Sequence, residues 1–141
     1  MMITTVPTEY VHNEWAKVAS LIQRATDFSP GRVSSSDIYI LLLEGKCLLW
    51  VVYNDDEKII AALTTRVLDV SKGRLCIVEW CGGDNMEEWI DDMLLKLEHY
   101  ANDMSCTIIE AHGRLGWKRI LEDHGWRQFS VSYDKVLRDK K

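Results

Sequence analysis

The stretch from Arg74 to Ala111 constrains the fold of this chain more than any other. It reads strand, helix, strand. "RLCIVEW" and "CTIIEA" are runs of apolar and β-branched residues. Between them Met86, Trp89, Ile90, Met93, Leu94, Leu97, Tyr100, Ala101 and Met104 recur at spacings of three and four. Glu87, Glu88, Asp91, Asp92, Lys96 and Glu98 occupy the opposite face. A helix of this kind lies on a sheet with its apolar stripe inward. Two strands joined through one such helix are parallel neighbours, because the crossover returns the chain in the same direction.

The other segments point to antiparallel strands and shorter helices. "MITTV" reads as a short strand stopped by Pro7. Trp15, Val18, Leu21, Ile22 and Ala25 mark a helix over about residues 13–28, broken by "SPGR". "SSSDIYILLLEGK" offers serine N-caps and a short apolar helix ending at Gly45. "CLLWVVY", "IIAALTTRVLDV" and "RLCIVEWC" form a meander around the turns "NDDEK" and "SKG". A shorter helix over 114–124 carries Trp117, Ile120, Leu121 and His124 on one face, with Gly125 as its C′ residue. "WRQFSVSYDKVL" alternates and is expected to close the sheet. The expected order is β-α-α-β-β-β-α-β-α-β. This is a single α/β domain over 1–141, with a mixed, mostly antiparallel sheet, one parallel βαβ crossover and helices on both faces.

Composition narrows the function classes. A net charge of −5 over 141 residues argues against a nucleic-acid partner. No apolar run approaches the roughly 18 residues of a membrane span. "MMITTVPTEY" has neither a basic nor an apolar leader region, so the expected compartment is the cytoplasm. Cys47, Cys76, Cys81 and Cys106 lie in strand-like runs without a C-x-x-C pair, which reads as free thiols in a reducing compartment. His12, His99, His112 and His124 lack metal-ligand spacing, so no metal is expected. The six tryptophans fill a core, or one or two of them line a groove.

Chemistry concentrates around "VEWCGGDNMEEW". A strand ends at Cys81, Gly82 and Gly83 follow, and a helix begins. In such a turn a ligand's phosphates can reach free N–H groups at a helix N-terminus. Yet five acidic residues and no basic one lie between Asp84 and Asp92. A like-charge pair near 4 Å costs about 1 kcal/mol in water and more when dry. The plainer alternative is that the glycines end the strand, Asp84 or Asn85 caps the helix, and Glu87 and Glu88 complement its dipole. Glu79, inside the apolar strand, is either a general base or, more plainly, a residue on a solvated edge or half of a structural ion pair. Glu110 ends the next strand with the same ambiguity, and His112 beside it is a further base candidate. Cys81 is a thiol at a helix start, opposed by acidic neighbours.

The second half of the chain resembles the GNAT superfamily of N-acetyltransferases. The resemblance is carried by residues 74–137: central strand, pyrophosphate loop, long helix, next strand, short helix ending in a Gly-aromatic pair, and final strand. "ILEDHGW" stands where the family has L-Y-E-x-x-G-F. "GRLGWKRILEDHGW" is similar to small GNAT-like proteins of phages and prophages. The resemblance implies acetyl-CoA as cofactor and transfer of its acyl group to an amine on a small molecule or protein. It implies that Glu79 or Glu110 is the base and that backbone from Ile77 and Val78 through Cys81, Gly82 and Gly83 holds the cofactor. Asn85 at the helix start completes the loop, and Arg114 and Lys118 would lie near the adenosine 3′-phosphate. Two departures stand out. The loop is shorter than Q/R-x-x-G-x-G/A and lacks its first cation. Leu121 replaces the family's tyrosine acid, leaving Tyr133 as a substitute. These departures leave a second expectation open: a non-catalytic GNAT-like domain acting as a phage virion-associated structural or protein-binding component. The partners expected besides an amine acceptor are virion proteins or, as a homo-oligomer, other copies of the chain.

Overall fold

The computed structural model describes residues 1–29, 31–113 and 115–138. Its strands are β1 (Met2–Val6), β2 (Leu48–Tyr53), β3 (Ile59–Val70), β4 (Gly73–Gly83) and β5 (Ile108–Ala111). They lie in the order β1-β2-β3-β4-β5. The first three pairings are antiparallel, and β4 with β5 is parallel. The helices are α1 (Val11–Thr26), α2 (Ser35–Leu43), α3 (Met86–Asp103) and α4 (Lys118–Asp123).

Alternation along the strands divides the core into two layers. Trp50, Val52, Leu63 and Val78 point to one face, where Trp89, Ile90, Met93, Leu94 and Leu97 of α3 cover them and Ile120 and Leu121 of α4 pack at the margin. Leu49, Val51 and Ala62 point to the other face, under Val18, Leu21 and Ile22 of α1 and Ile38 and Leu42 of α2. The α2 start is fixed by a capping box. Ser34 accepts from the Asp37 N–H, and the Asp37 carboxylate accepts from the Ser34 N–H. Gly125, with φ 85°, follows α4 in the left-handed region, and the Trp126 N–H returns to the Leu121 carbonyl at 3.0 Å.

The expected closing strand is not formed. Residues 126–138 follow α4 without strand pairing. Alternation makes a segment fit for a sheet, but the strand exists only where a ladder takes up its backbone groups. Here Asp134 is instead held by Arg32, between α1 and α2, at 2.6 Å. Phe129, Val131, Tyr133, Val136 and Leu137 remain exposed. The four cysteines form no disulfide with one another, with Cys76 buried and the others partly so. Among the described residues no helix is long and apolar enough to cross a membrane.

Candidate active site

The β4 strand is distorted where the site lies. Thr64 pairs with Glu79 and Ala62 with Gly82, so Trp80 and Cys81 stand opposite Leu63. This is a β-bulge, and Trp80 adopts φ 53° to make it. A non-glycine residue there costs on the order of 1–3 kcal/mol, a strain that clusters at functional sites. Trp80 joins the α1/α2 layer, and Cys81 joins the α3 layer.

The bulge coincides with the parting of two strands. The β4–β5 ladder ends at Val78 and Ala111, with a last bond from the His112 N–H to the Val78 carbonyl at 3.1 Å. Pairing with β3 continues to Gly83. Ile77 and Val78 are therefore laddered on both sides, and the edge facing β5 opens from Glu79 onward. Next to this opening is a pocket of about 390 Å³, lined by Cys81, Gly83, Met86, Trp89, Gly116 and Trp117.

The two glycines have a packing reason. A Cβ on Gly82 would stand 2.0 Å from the Leu21 carbonyl oxygen of α1, and one on Gly83 would stand 2.3 Å from the Ala61 Cβ. The turn that follows is only Asp84 and Asn85. The Asp84 N–H is used by the Ile60 carbonyl at 2.9 Å, and its own carbonyl accepts from Trp89 Nε1 at 2.8 Å. Asn85 is the N-cap of α3 in left-handed conformation, and no side chain caps the helix. The Asn85 side chain thus takes up none of the first-turn N–H groups, its backbone carbonyl accepts from the Glu88 N–H at 2.9 Å, and Glu87 and Glu88 keep the end acidic. Arg24 of α1 brings a cation to this end, and Asp84 takes it up at 3.1 Å.

On the α1/α2 side the parted strands carry a polar cluster. Arg66 Nε donates to Glu79 Oε1 at 2.8 Å. His112 Nε2 lies 2.6 Å from Glu110 Oε2, and its Nδ1 lies 3.6 Å from Glu79 Oε2. The side chains of Glu79 and Glu110 are each 16% exposed, and that of His112 is 53% exposed. The cluster therefore meets solvent through the imidazole. Cys47 is the neutral member: burial, reinforced by the Glu79 carboxylate, pushes its thiol up to about 11. A thiol held so high is no nucleophile near neutral pH.

The candidate residues are distributed unevenly. Glu79 and Glu110 meet through His112. Cys81 and Gly83 line the pocket, and Gly82 and Asn85 flank it. Lys118 is paired within its own helix, with Nζ on Glu122 at 3.0 and 3.1 Å. Tyr133 is 91% exposed on the unpaired tail. Arg114 lies outside the described residues. Arg66 and Arg24 were not singled out by sequence. The meander register could have found Arg66, which sits one pair beyond Thr64 on the same face of β3. No local pattern flags Arg24.

An antiparallel meander followed by a bulged strand, a long helix and a parallel strand that parts from its neighbour defines the acyl-CoA N-acyltransferase, or GNAT, fold. Solved structures agree. A probable acetyltransferase superposes with TM-score 0.74 at 13% identity, covering 99% of this chain and 100% of that one. Glucosamine-6-phosphate N-acetyltransferase from Arabidopsis thaliana gives 0.71 at 14% identity, covering 97% and 98%. A predicted acetyltransferase with acetyl-CoA from Clostridium acetobutylicum gives 0.72 at 12% identity, covering 96% of each chain. No protein-family model matches the chain, and no curated protein sequence does.

Proposed function

We propose that this protein is an acyl-CoA-dependent N-acyltransferase of phage or prophage type, moving an acetyl group to an amine on a small molecule or protein. The observation that carries the reading is the opening of β4 from β5 at Glu79, directly beside the Glu79–His112–Glu110 cluster. A strained bulge, a strand edge that has parted from its neighbour and a carboxylate–imidazole chain coincide there. The phage or prophage origin rests on "GRLGWKRILEDHGW".

An acyl-CoA fits the residues in part. The edge from Glu79 to Gly83 would hold its amide-bearing arm, and the first-turn N–H groups of α3 face where its phosphates would come. Trp89 and Trp117 give the pocket flat apolar walls. The acidic turn opposes the phosphates, and Arg24 is available to them only if Asp84 yields. When bound, the cofactor would supply the thioester carbonyl for the amine: as the C–N bond forms the C–S bond breaks, and CoA leaves as a thiolate that takes its proton from solvent. Glu79 takes the proton the amine loses, held in place by Arg66 and Thr64. His112 passes that proton outward, oriented by Glu110.

A transfer assay with acetyl-CoA and a panel of amines tests this, with thermal unfolding as an independent readout. A ligand at 100 times its Kd adds about 2.7 kcal/mol, which raises the Tm of a domain this size by several degrees. An unmoved Tm at millimolar acetyl-CoA, together with no transfer, sinks the reading. The acidic turn itself favours one other reading: a non-catalytic GNAT-like domain that serves as a virion-associated or protein-binding component.

A further inference from the structure

The short helix α4 is fastened to α3 by a ring whose two nitrogens both face acceptors. His124 is the C-cap of α4. Its Nδ1 lies 2.8 Å from the Ile120 carbonyl oxygen, and its Nε2 lies 2.7 Å from Asp91 Oδ1 of α3. Neutral imidazole carries one N–H and one bare lone pair, so it can satisfy only one of these two oxygens. The imidazolium satisfies both. Losing a proton would set a lone pair against an oxygen, and that contact would have to open.

The surroundings keep the ring charged. His124 borders a groove of about 300 Å³ between the helices, lined also by Met86, Glu87, Ile90, Asp91, Ile120 and Asp123. Glu87 and Asp91 face it from α3 and Asp123 from α4. The pKa of His124 is raised above the ordinary 6.5, first by the bond to the Ile120 carbonyl and then by the bond to Asp91. Desolvation opposes in part, and the charges of Asp91 and Asp123 add to the rise. A helix C-terminus favours a cation as well. With six residues, α4 is too short to hold its own shape. Ile120 and Leu121 pack it against the α3 layer, and His124 ties its end. Trp117, the N-cap of α4, lines the 390 Å³ pocket with Cys81 and Trp89. Where α4 sits therefore sets where that wall stands.

We propose that His124 is a pH-sensitive latch: doubly protonated, it closes α4 on α3 and holds Trp117 in the pocket wall, and on deprotonation it lets both move. The stability it contributes is fully present below the unfolded-chain value of 6.5 and is lost as pH rises through the raised folded value. Each unit of elevation raises the population of the open form at high pH by a factor of up to about ten. His124 acts here as a positioning residue. The inference stands apart from the acyl-transfer reading, since it rests on the ring and its two acceptors.

NMR of the full chain at low ionic strength, from about pH 5 to about pH 9, tests it. The His124 ring signals, the Trp117 indole N–H and hydrogen exchange over 118–126 are followed together. The expected result is one shared midpoint above 6.5, with the Trp117 signal shifting and the α4 amides exchanging faster than their intrinsic rates alone require. Asp91→Asn, at a side chain 80% exposed, should lower that midpoint and leave the fold intact. His124→Gln keeps a donor but cannot titrate, so the transition should vanish from Trp117 and α4. A His124 midpoint at or below 6.5 overturns the inference. So does a raised midpoint that Trp117 and α4 do not follow, or one that Asp91→Asn leaves in place. A Trp117 transition that survives His124→Gln overturns it too.

Discussion

Arg24 Nη1 lies 3.1 Å from Asp84 Oδ1, joining positions 60 residues apart. The pair ties the last turn of α1 to the turn before α3. It also holds a cation at the helix N-terminus in a neutralised state. Asp84→Asn with Glu87→Gln should free Arg24 and remove two like charges from a phosphate's approach. CoA should then bind more tightly, by about 1 kcal/mol or roughly fivefold in Kd, at low ionic strength. The gain should shrink at high salt, where screening already weakens the repulsion. Titration calorimetry at two salt concentrations checks this. Unchanged or weaker binding would show that these side chains do not face a bound phosphate.

The Gly-Gly pair makes a sharper test of folding than of binding. A Cβ on Gly82 would meet a backbone oxygen of α1 at 2.0 Å, and backbone cannot swing aside like a side-chain tip. Gly82→Ala should destabilise by roughly 1–3 kcal/mol or more. Gly116, where an added Cβ meets nothing within 4 Å, is the control. Gly116→Ala should stay within about 0.5 kcal/mol. Chemical denaturation of the two variants side by side decides it, and equal effects would remove close packing as the reason for Gly82.

The helix, the meander and the crossover were readable because each advertises its period in residue spacing. Met86 to Ala101 could have been written on no other surface. The tail was misread because alternation reports fitness for a ladder and not the presence of a partner. Gly82 looked like a loop residue because the helix that excludes a side chain there lies 61 positions earlier. Glu79, Glu110 and His112 were visible one by one. Their meeting depends on Val78 pairing with Ala111, a register that only the folded sheet sets.

Leu94 lies in the buried stripe of α3 and packs in the same layer as Leu63 and Val78. Leu94→Ala removes buried methyl groups and leaves a cavity. A loss of about 2–5 kcal/mol is expected. A change under about 1 kcal/mol in denaturant would mean that α3 does not lie on the sheet.

Cys47 and Cys76 are each pushed up from 9.0 to about 11, mainly by burial. Raised values keep both groups neutral in the folded chain. The stability linked to them is complete below pH 9.0 and is lost as pH climbs through about 11, since the unfolded chain ionises first. Thiol reagent at pH 8 should therefore label these two slowly in the native protein and all four cysteines quickly in denaturant. Fast native labelling of Cys76 would contradict its burial.

Glu79 is the residue on which the proposed chemistry turns. It stands at the first position where β4 has parted from β5, and its carboxylate is shared between Arg66 and His112 at 2.8 and 3.6 Å. A merely structural ion pair and a base make different predictions for the same substitution. Glu79→Gln keeps the shape and an acceptor for Arg66 but cannot take a proton. If Glu79 is the base, kcat falls by at least about tenfold, toward the 10²–10⁴ typical of such groups, while acetyl-CoA affinity and Tm barely move. If the pair is only structural, Tm falls and kcat per folded molecule holds. His112→Gln separates the next link. It should lower kcat and change the shape of its pH profile, because the route from Glu79 to solvent passes through the half-exposed ring. Normal turnover in Glu79→Gln would exclude that carboxylate and leave His112, oriented by Glu110, as the group to test for proton removal.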